Sequence, residues 1–339
     1  MCLPIARCER RRSRRILPAY YAALALSIAS IVGARIVFGE AGNDAALSPG
    51  SVISHLLLVH TFTADWAFRI NGPMWSVATE WHIYFLLPLV LLPLWRRFGA
   101  AATVTLAWAA PLALHLLVSD EWNFWWAAPW FVGSFAIGML GAVLSHTGGP
   151  ELRLPWGTIG LASLALLVAL LAIPETSVPL IYLDFVVSVM SMGLIMLCVR
   201  QVITAASATS LLDIEREPQR ASWLTGFLGS APLLSLGAFS YSLYLLQHPL
   251  LRFTEAILDR TSLGFEAVLW VQLIIGVPII MVVSRIFAEF FEMPFTSGSP
   301  IVDRLGQRFP LPTARGRAMS LSGASGGTPP DQPPSGSAT

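Results

Sequence analysis

The chain is poor in charge. Asp, Glu and Arg together make up 12% of its 339 residues, about half the share of a soluble domain. Lysine is absent, so all 21 basic residues are Arg. Cysteine is scarce: Cys2, Cys8 and Cys198 form neither a paired framework nor a metal-ligand spacing, so neither a structural disulfide nor a cysteine metal site is expected. With a net charge of +1 bulk charge predicts no partner, and nucleic acid is not expected. The chain also has no HExxH pair, no Ser-His-Asp set and no glycine-rich phosphate loop, so no tightly bound cofactor is expected. What it has instead is apolar length. Hydrophobic residues are 55% of the chain and the mean hydropathy is +0.66, which is membrane-protein composition.

A spanning helix needs about 20 mostly apolar residues. Eight runs qualify, at about residues 16–38, 73–95, 99–118, 124–145, 156–173, 178–199, 233–257 and 266–291. Unpaired backbone is intolerable in lipid, so runs of this kind are helices rather than open strands. The expected fold is all-α, a polytopic bundle of about eight spans. Residues 51–62 are too short to cross and read as an interfacial or re-entrant helix. No inverted repeat of broken helices is visible, which argues against a secondary transporter.

Arg distribution orients the bundle. With both termini in the cytoplasm, sixteen Arg fall on inner segments and four (Arg35, Arg69, Arg252 and Arg260) on outer ones, with Arg285 inside the last span. The domain plan is a basic cytoplasmic arm at 1–15, a membrane-embedded unit at 16–295 and a cytoplasmic tail at 296–339. Within the unit, 204–231 is a cytoplasmic loop. The tail from about 320 is Gly, Ser, Pro and Thr without apolar period and is expected to be disordered. The cluster Trp122, Trp125, Trp126 and Trp130 reads as an interfacial aromatic belt, with a sugar platform as the rival reading.

Three stretches carry the polar side chains. In the first, Asn71-Gly72 breaks the chain and Pro73 starts a helix. Ser76, Glu80 and Tyr84 then recur every four residues and share a face with Trp75 close by. Glu80 lies ~10 Å below the helix start, a depth at which an acid faces a protein interior or a wet cavity and marks function by default. The second stretch holds Arg12 and Arg15, three apart on one helix face, which suits a phosphate or an anionic lipid surface. In the third, Ser240, Tyr244, Gln247 and His248 interrupt an apolar span, either as a site or as interhelical hydrogen-bond glue. Asp184 is a weaker candidate near the end of another span.

Taken together these stretches resemble the acyltransferase-3 family of bacterial multi-pass membrane O-acyltransferases. Arg11 to Tyr20 is similar to its Arg-Arg-x-x-Arg-Ile-x-Pro-x-Tyr motif, and Met74 to Tyr84 to its Leu-Trp-Ser-Leu-Ser-Val-Glu-Glu-Gln-Phe-Tyr motif. Ser240 to Pro249 resembles Ser-Tyr-Ser-x-Tyr-Leu-x-His-x-Pro, and Glu292 to Phe295 a closing Glu-x-Pro-Phe. The resemblance implies transfer of an acyl group from a cytoplasmic acyl-CoA, acetyl-CoA-like, to a hydroxyl of a sugar, envelope glycan or small molecule at the inner membrane. It implies that Arg12 and Arg15 meet the donor. Glu80 and Ser76 would line the central site with His248 beside them, and Trp75, Tyr84, Ser240, Tyr244 and Gln247 would contact substrate. Two departures stand out. The family's late His falls on Gln247, with His248 one place on. The family's two preceding helices and their His are not found before Arg11, so the chain reads as an N-terminally truncated member. A transporter or lipid-binding membrane protein is the alternative.

Overall fold

A computed structural model of the chain describes residues 5–38, 46–118, 123–147, 154–173, 179–211 and 223–296. Among these residues every regular element is helical. The whole charged stretch of the 204–231 loop, 213–220, and the whole of 297–339 lie outside the described residues.

The first helix, α1, runs unbroken from Ile5 to Phe38 and carries Pro18 inside it. A segment of short helical pieces follows. Its α2 (Pro49–Leu56) is opened by Ser48, whose side chain accepts from Ser51 N–H, and by Pro49 in the first turn, a standard helix-start pairing. A 3-10 turn at His60–Phe62 and α3 (Ala64–Ala67) complete it. These pieces are too short to cross a bilayer, as expected from sequence. The hydroxyls of Tyr20 and Tyr21 on α1 hold α2 by donating to the carbonyls of His55 and Leu56, both at 2.9 Å.

Helix α4 (Met74–Leu86) starts immediately after Pro73 and passes through a π-helical turn (Leu87–Leu91) into α5 (Leu92–Leu117). At Gly99 φ is +83°, so the helical path breaks there, a backbone that glycine alone adopts cheaply. Three helices follow, α6 (Phe131–Thr147), α7 (Trp156–Leu171) and α8 (Leu180–Leu211). After α9 (Trp223–Leu228) and α10 (Ala231–Ala238), α11 covers Ser240–Leu258. Then α12 (Phe265–Val271) leads through a second π turn (Gln272–Gly276) into α13 (Val277–Phe291), and a 3-10 turn at Met293–Phe295 closes the described chain.

All eight apolar runs are thus helical, but five segments among the described residues are long and apolar enough to cross a membrane by length and composition. The difference from eight has local causes. Runs 73–95 and 99–118 are joined through Gly99 into one segment, Met74–Leu117. Trp156–Leu171 is only 16 residues long. The seventh run breaks at Phe239, and α11 carries Gln247, His248, Arg252 and Glu255, which lower its apolarity.

Two cores form. In the first, Ala19, Tyr20 and Leu24 of α1 pack on Met74, Val77 and Ala78 of α4, Leu245 and Leu246 of α11 and Phe287 of α13. The second joins Trp108 of α5, Ile137 of α6, Trp156 of α7 and Ile181, Met192 and Met196 of α8. The first core positions the polar residues.

Candidate active site

Four motifs far apart in sequence meet around the first core. From α1, the Arg12 guanidinium lies 4.2 Å from the centroid of the Tyr84 ring on α4, a cation–π contact. The Tyr84 hydroxyl donates to the Glu80 carboxylate one turn earlier. From α11, the Tyr244 hydroxyl donates to Pro73 O at 2.9 Å and shares a 2.6 Å hydrogen bond with Ser76 Oγ. Tyr241 reaches back to α1, donating to Ile16 O at 3.3 Å, and lies within electrostatic range of Glu80 and Glu292.

Glu292, just past α13, is 1% exposed. Its Oε2 accepts from both the backbone N–H (3.1 Å) and the hydroxyl (2.6 Å) of Ser242. Its other oxygen lies 4.0 Å from the exposed guanidinium of Arg15. A buried carboxylate survives only when hydrogen-bonded and paired, and Ser242 with Arg15 supplies both. The shared face of Arg12 and Arg15 therefore splits its partners: one guanidinium covers Tyr84, the other faces Glu292.

Asn71 is the hidden joint. It is fully buried, and its amide donates to Leu245 O of α11 at 2.9 Å and to Ser27 Oγ of α1 at 3.1 Å. These bonds fix the turn before α4 against two other helices.

Two cavities lie on either side of that turn. The smaller, about 310 Å³, is lined by Trp75, Ser76, Thr79, Glu80, Ile83, Phe131, Ser134 and Phe135. Its walls are apolar apart from the three hydroxyls of Ser76, Thr79 and Ser134 and one acid, Glu80. Ser76 and an exposed Glu80 line it, while Tyr84, the third residue of the predicted α4 face, does not. The larger, about 640 Å³, is lined by Gly72, His248, Pro249, Arg252 and residues from α1 and α3, among others. His248 stands over Gly72: a Cβ there would sit 3.5 Å from the imidazole Nε2. Its Nδ1 is buried with no hydrogen-bond partner.

Of the residues singled out from sequence, Arg12, Arg15, Trp75, Ser76, Glu80, Tyr84 and Tyr244 gather around the first core and the smaller cavity. His248 faces the larger cavity instead. Gln247 is half-buried on α11 outside this network, and Ser240 is exposed, donating only to Gly237 O at 3.0 Å. Asp184 is tied up elsewhere, accepting from Trp130 Nε1 at 2.7 Å. Sequence reasoning missed Asn71, Tyr241 and Ser242, and treated Glu292 as a closing turn. An acid directly after a 26-residue apolar run, within Glu-Met-Pro-Phe, was the available signal for Glu292. Asn71 and Ser242 had none, since their partners are distant in sequence. Among the described residues no His, Cys, Asp and Glu cluster could hold a metal ion.

Architecture and composition are those of a multi-pass membrane bundle. The chain belongs to the acyltransferase-3 family: the family model, described as an acyltransferase domain, matches residues 7–289. It is accordingly a membrane acyltransferase in general terms. Comparison with curated proteins and with solved structures found no match.

Proposed function

We propose that the protein moves an acyl group from an acyl-CoA donor on the cytoplasmic side of the plasma membrane to a hydroxyl of a sugar, glycan or small-molecule acceptor. The observation that supports this most is the pair of cavities divided by one turn, Asn71–Ser76. Gly72 lines the larger cavity, while Trp75 and Ser76 line the smaller, so two substrates can approach one wall from opposite sides.

Arg12 and Arg15 bind the donor's phosphates through charge-assisted hydrogen bonds. The apolar side of the smaller cavity, Trp75, Ile83, Phe131 and Phe135, takes the acyl chain. Glu80, held by Tyr84, orients the reacting groups together with the Ser76–Tyr244 pair. The acceptor oxygen attacks the thioester carbonyl, a C–O bond forms and the C–S bond breaks. The acceptor's proton passes to His248 on the opposite side of the wall and finally to the departing thiolate. General-base help of this kind contributes about 10²–10⁴-fold.

Purified full-length protein in lipid, given labelled acetyl-CoA and an envelope glycan fraction, should transfer label. Arg12→Ala and Arg15→Ala should raise KM for the donor more than they lower kcat. Equal KM in both variants would remove the guanidinium groups from donor binding. Transfer absent from wild type under all donors would favour a transporter or lipid-binding role. For orientation, a reporter fused after Ser145 should read cytoplasmic and one after Asp120 external.

A further inference from the structure

Three of the four Arg assigned to the far side of the bundle converge on one cavity. Arg35 ends α1, Arg69 follows α3 and Arg252 lies on α11, and all three line the 640 Å³ space. Arg35 is 23 residues along α1 from Arg12, ~35 Å at the helical rise, so this cavity and the Arg12 site lie at opposite ends of the bundle. Arg is disfavoured on the outer side of a membrane protein, which makes its concentration here a chemical choice.

The cavity has a patterned wall. His248, Arg252, Glu255 and Asp259 recur at intervals of four, three and four on α11, and every one of them lines it. Asp65 joins them from α3. The stripe occupies the C-terminal end of α11 and its cap, where Arg252, Glu255 and Asp259 are exposed, and it gives the cavity a strongly polar wall. The volume falls within the ~300–1,000 Å³ of small-molecule sites. Three guanidinium groups supply planar donor forks for an oxyanion. Three carboxylates supply acceptors for hydroxyl groups. Equal numbers of the two exclude a polyanion such as a polyphosphate.

We propose that this cavity binds the acceptor, and that the acceptor is a hydroxyl-rich molecule carrying one oxyanion, a carboxylate or a phosphate, read by Arg69 and Arg252. The word "acceptor" rests on the acyl-transfer reading; the ligand chemistry rests on the cavity.

The test is equilibrium binding to the full chain in nanodiscs without acyl donor, using glucuronate, glucose 1-phosphate and glucose as probes. The expected result is at least tenfold tighter binding of one or both anionic probes than of glucose. Preference for glucuronate would make the source a carboxylate, and preference for glucose 1-phosphate a phosphate. Arg252→Gln should weaken the anionic probe at least tenfold, Arg252→Lys less, and the distant Arg97→Gln not at all. Ala256→Trp, which fills the cavity without changing charge, should block all probes. Glucose bound as tightly as the anions, no binding of any probe, or a preference that survives Arg69→Gln with Arg252→Gln would overturn the proposal. A chain that binds the anionic probes yet transfers no acyl label would uphold the cavity and overturn the acyltransferase reading.

Discussion

The two cores solve the problem of packing in lipid by different means. Around α1, α4 and α11, buried polar groups knit the helices together: Asn71 to Ser27 and Leu245, Ser242 to Glu292, Tyr20 to His55. Around α7 and α8, backbones approach through small residues. A Cβ added to Gly193 would lie 2.8 Å from Gly160 Cα, and one on Gly141 would lie 2.8 Å from Met192 Sδ. Small-residue contact is the usual means of holding membrane helices that only pack. Buried polar groups are expensive in the same setting. Their concentration around α1, α4 and α11 sets that half apart from one held chiefly by packing, and on the proposed function it makes the first the working region.

The largest effect is expected in the polar half. Glu292→Ala deprives both Ser242 donors of their acceptor and leaves Arg15 without its counter-ion. Two charge-assisted bonds make the loss about 3 kcal/mol, with transfer falling below a tenth of wild type. Thermal unfolding in detergent and an acyl-transfer assay read the two together. Loss of stability without loss of transfer would make Glu292 scaffold rather than site.

Gly193→Val challenges the other half. The new side chain has no room beside Gly160, and overpacking costs about 1–3 kcal/mol. Transfer per folded molecule should stay at the wild-type level. A parallel drop in both would show that the halves do not work independently. Smaller again is Trp130→Phe, which removes the 2.7 Å bond to Asp184. It should cost about 1 kcal/mol and leave donor affinity unchanged.

The smallest effect near neutral pH concerns the short helical segment between α1 and α4. His55 and His60 stack with ring centroids 3.9 Å apart, and both are fully buried. Burial holds them neutral, lowering His55 from 6.5 to about 4 and His60 from 6.5 to about 3. The unfolded chain takes up these protons near pH 6.5, so their contribution is complete above that pH and is lost as pH falls toward about 4. Unfolding at pH 7 and pH 5 should show the drop, and His60→Phe should reduce it.

The comparison also explains what was legible in sequence. The scaffold half announces itself through apolar length alone, and every run read from hydropathy is helical. The start of α4 at Pro73 and the common face of Ser76 and Glu80 follow from local rules of helix starts and the four-residue period. The joints of the polar half do not. Asn71 looks like a chain break, yet its amide reaches Leu245, 174 residues away. Nothing local separates Arg12 from Arg15, yet one meets Tyr84 and the other Glu292. Gln247 and His248 are adjacent, and a 100° turn of helix sends only His248 to the larger cavity. Five membrane-length segments stand against eight apolar runs because two helices are joined across the kink at Gly99, Trp156–Leu171 is short and α11 is polar. These features depend on which helices neighbour one another, which the hydropathy pattern does not encode.

In the proposed reaction Glu80, lining the smaller cavity and held by Tyr84, takes part in acyl transfer. The direct test is the kcat of label transfer from acetyl-CoA by wild type and Glu80→Gln at matched folded protein. The expected result is a fall in kcat of about a hundredfold or more with donor KM little changed. Transfer by Glu80→Gln at the wild-type rate would contradict it.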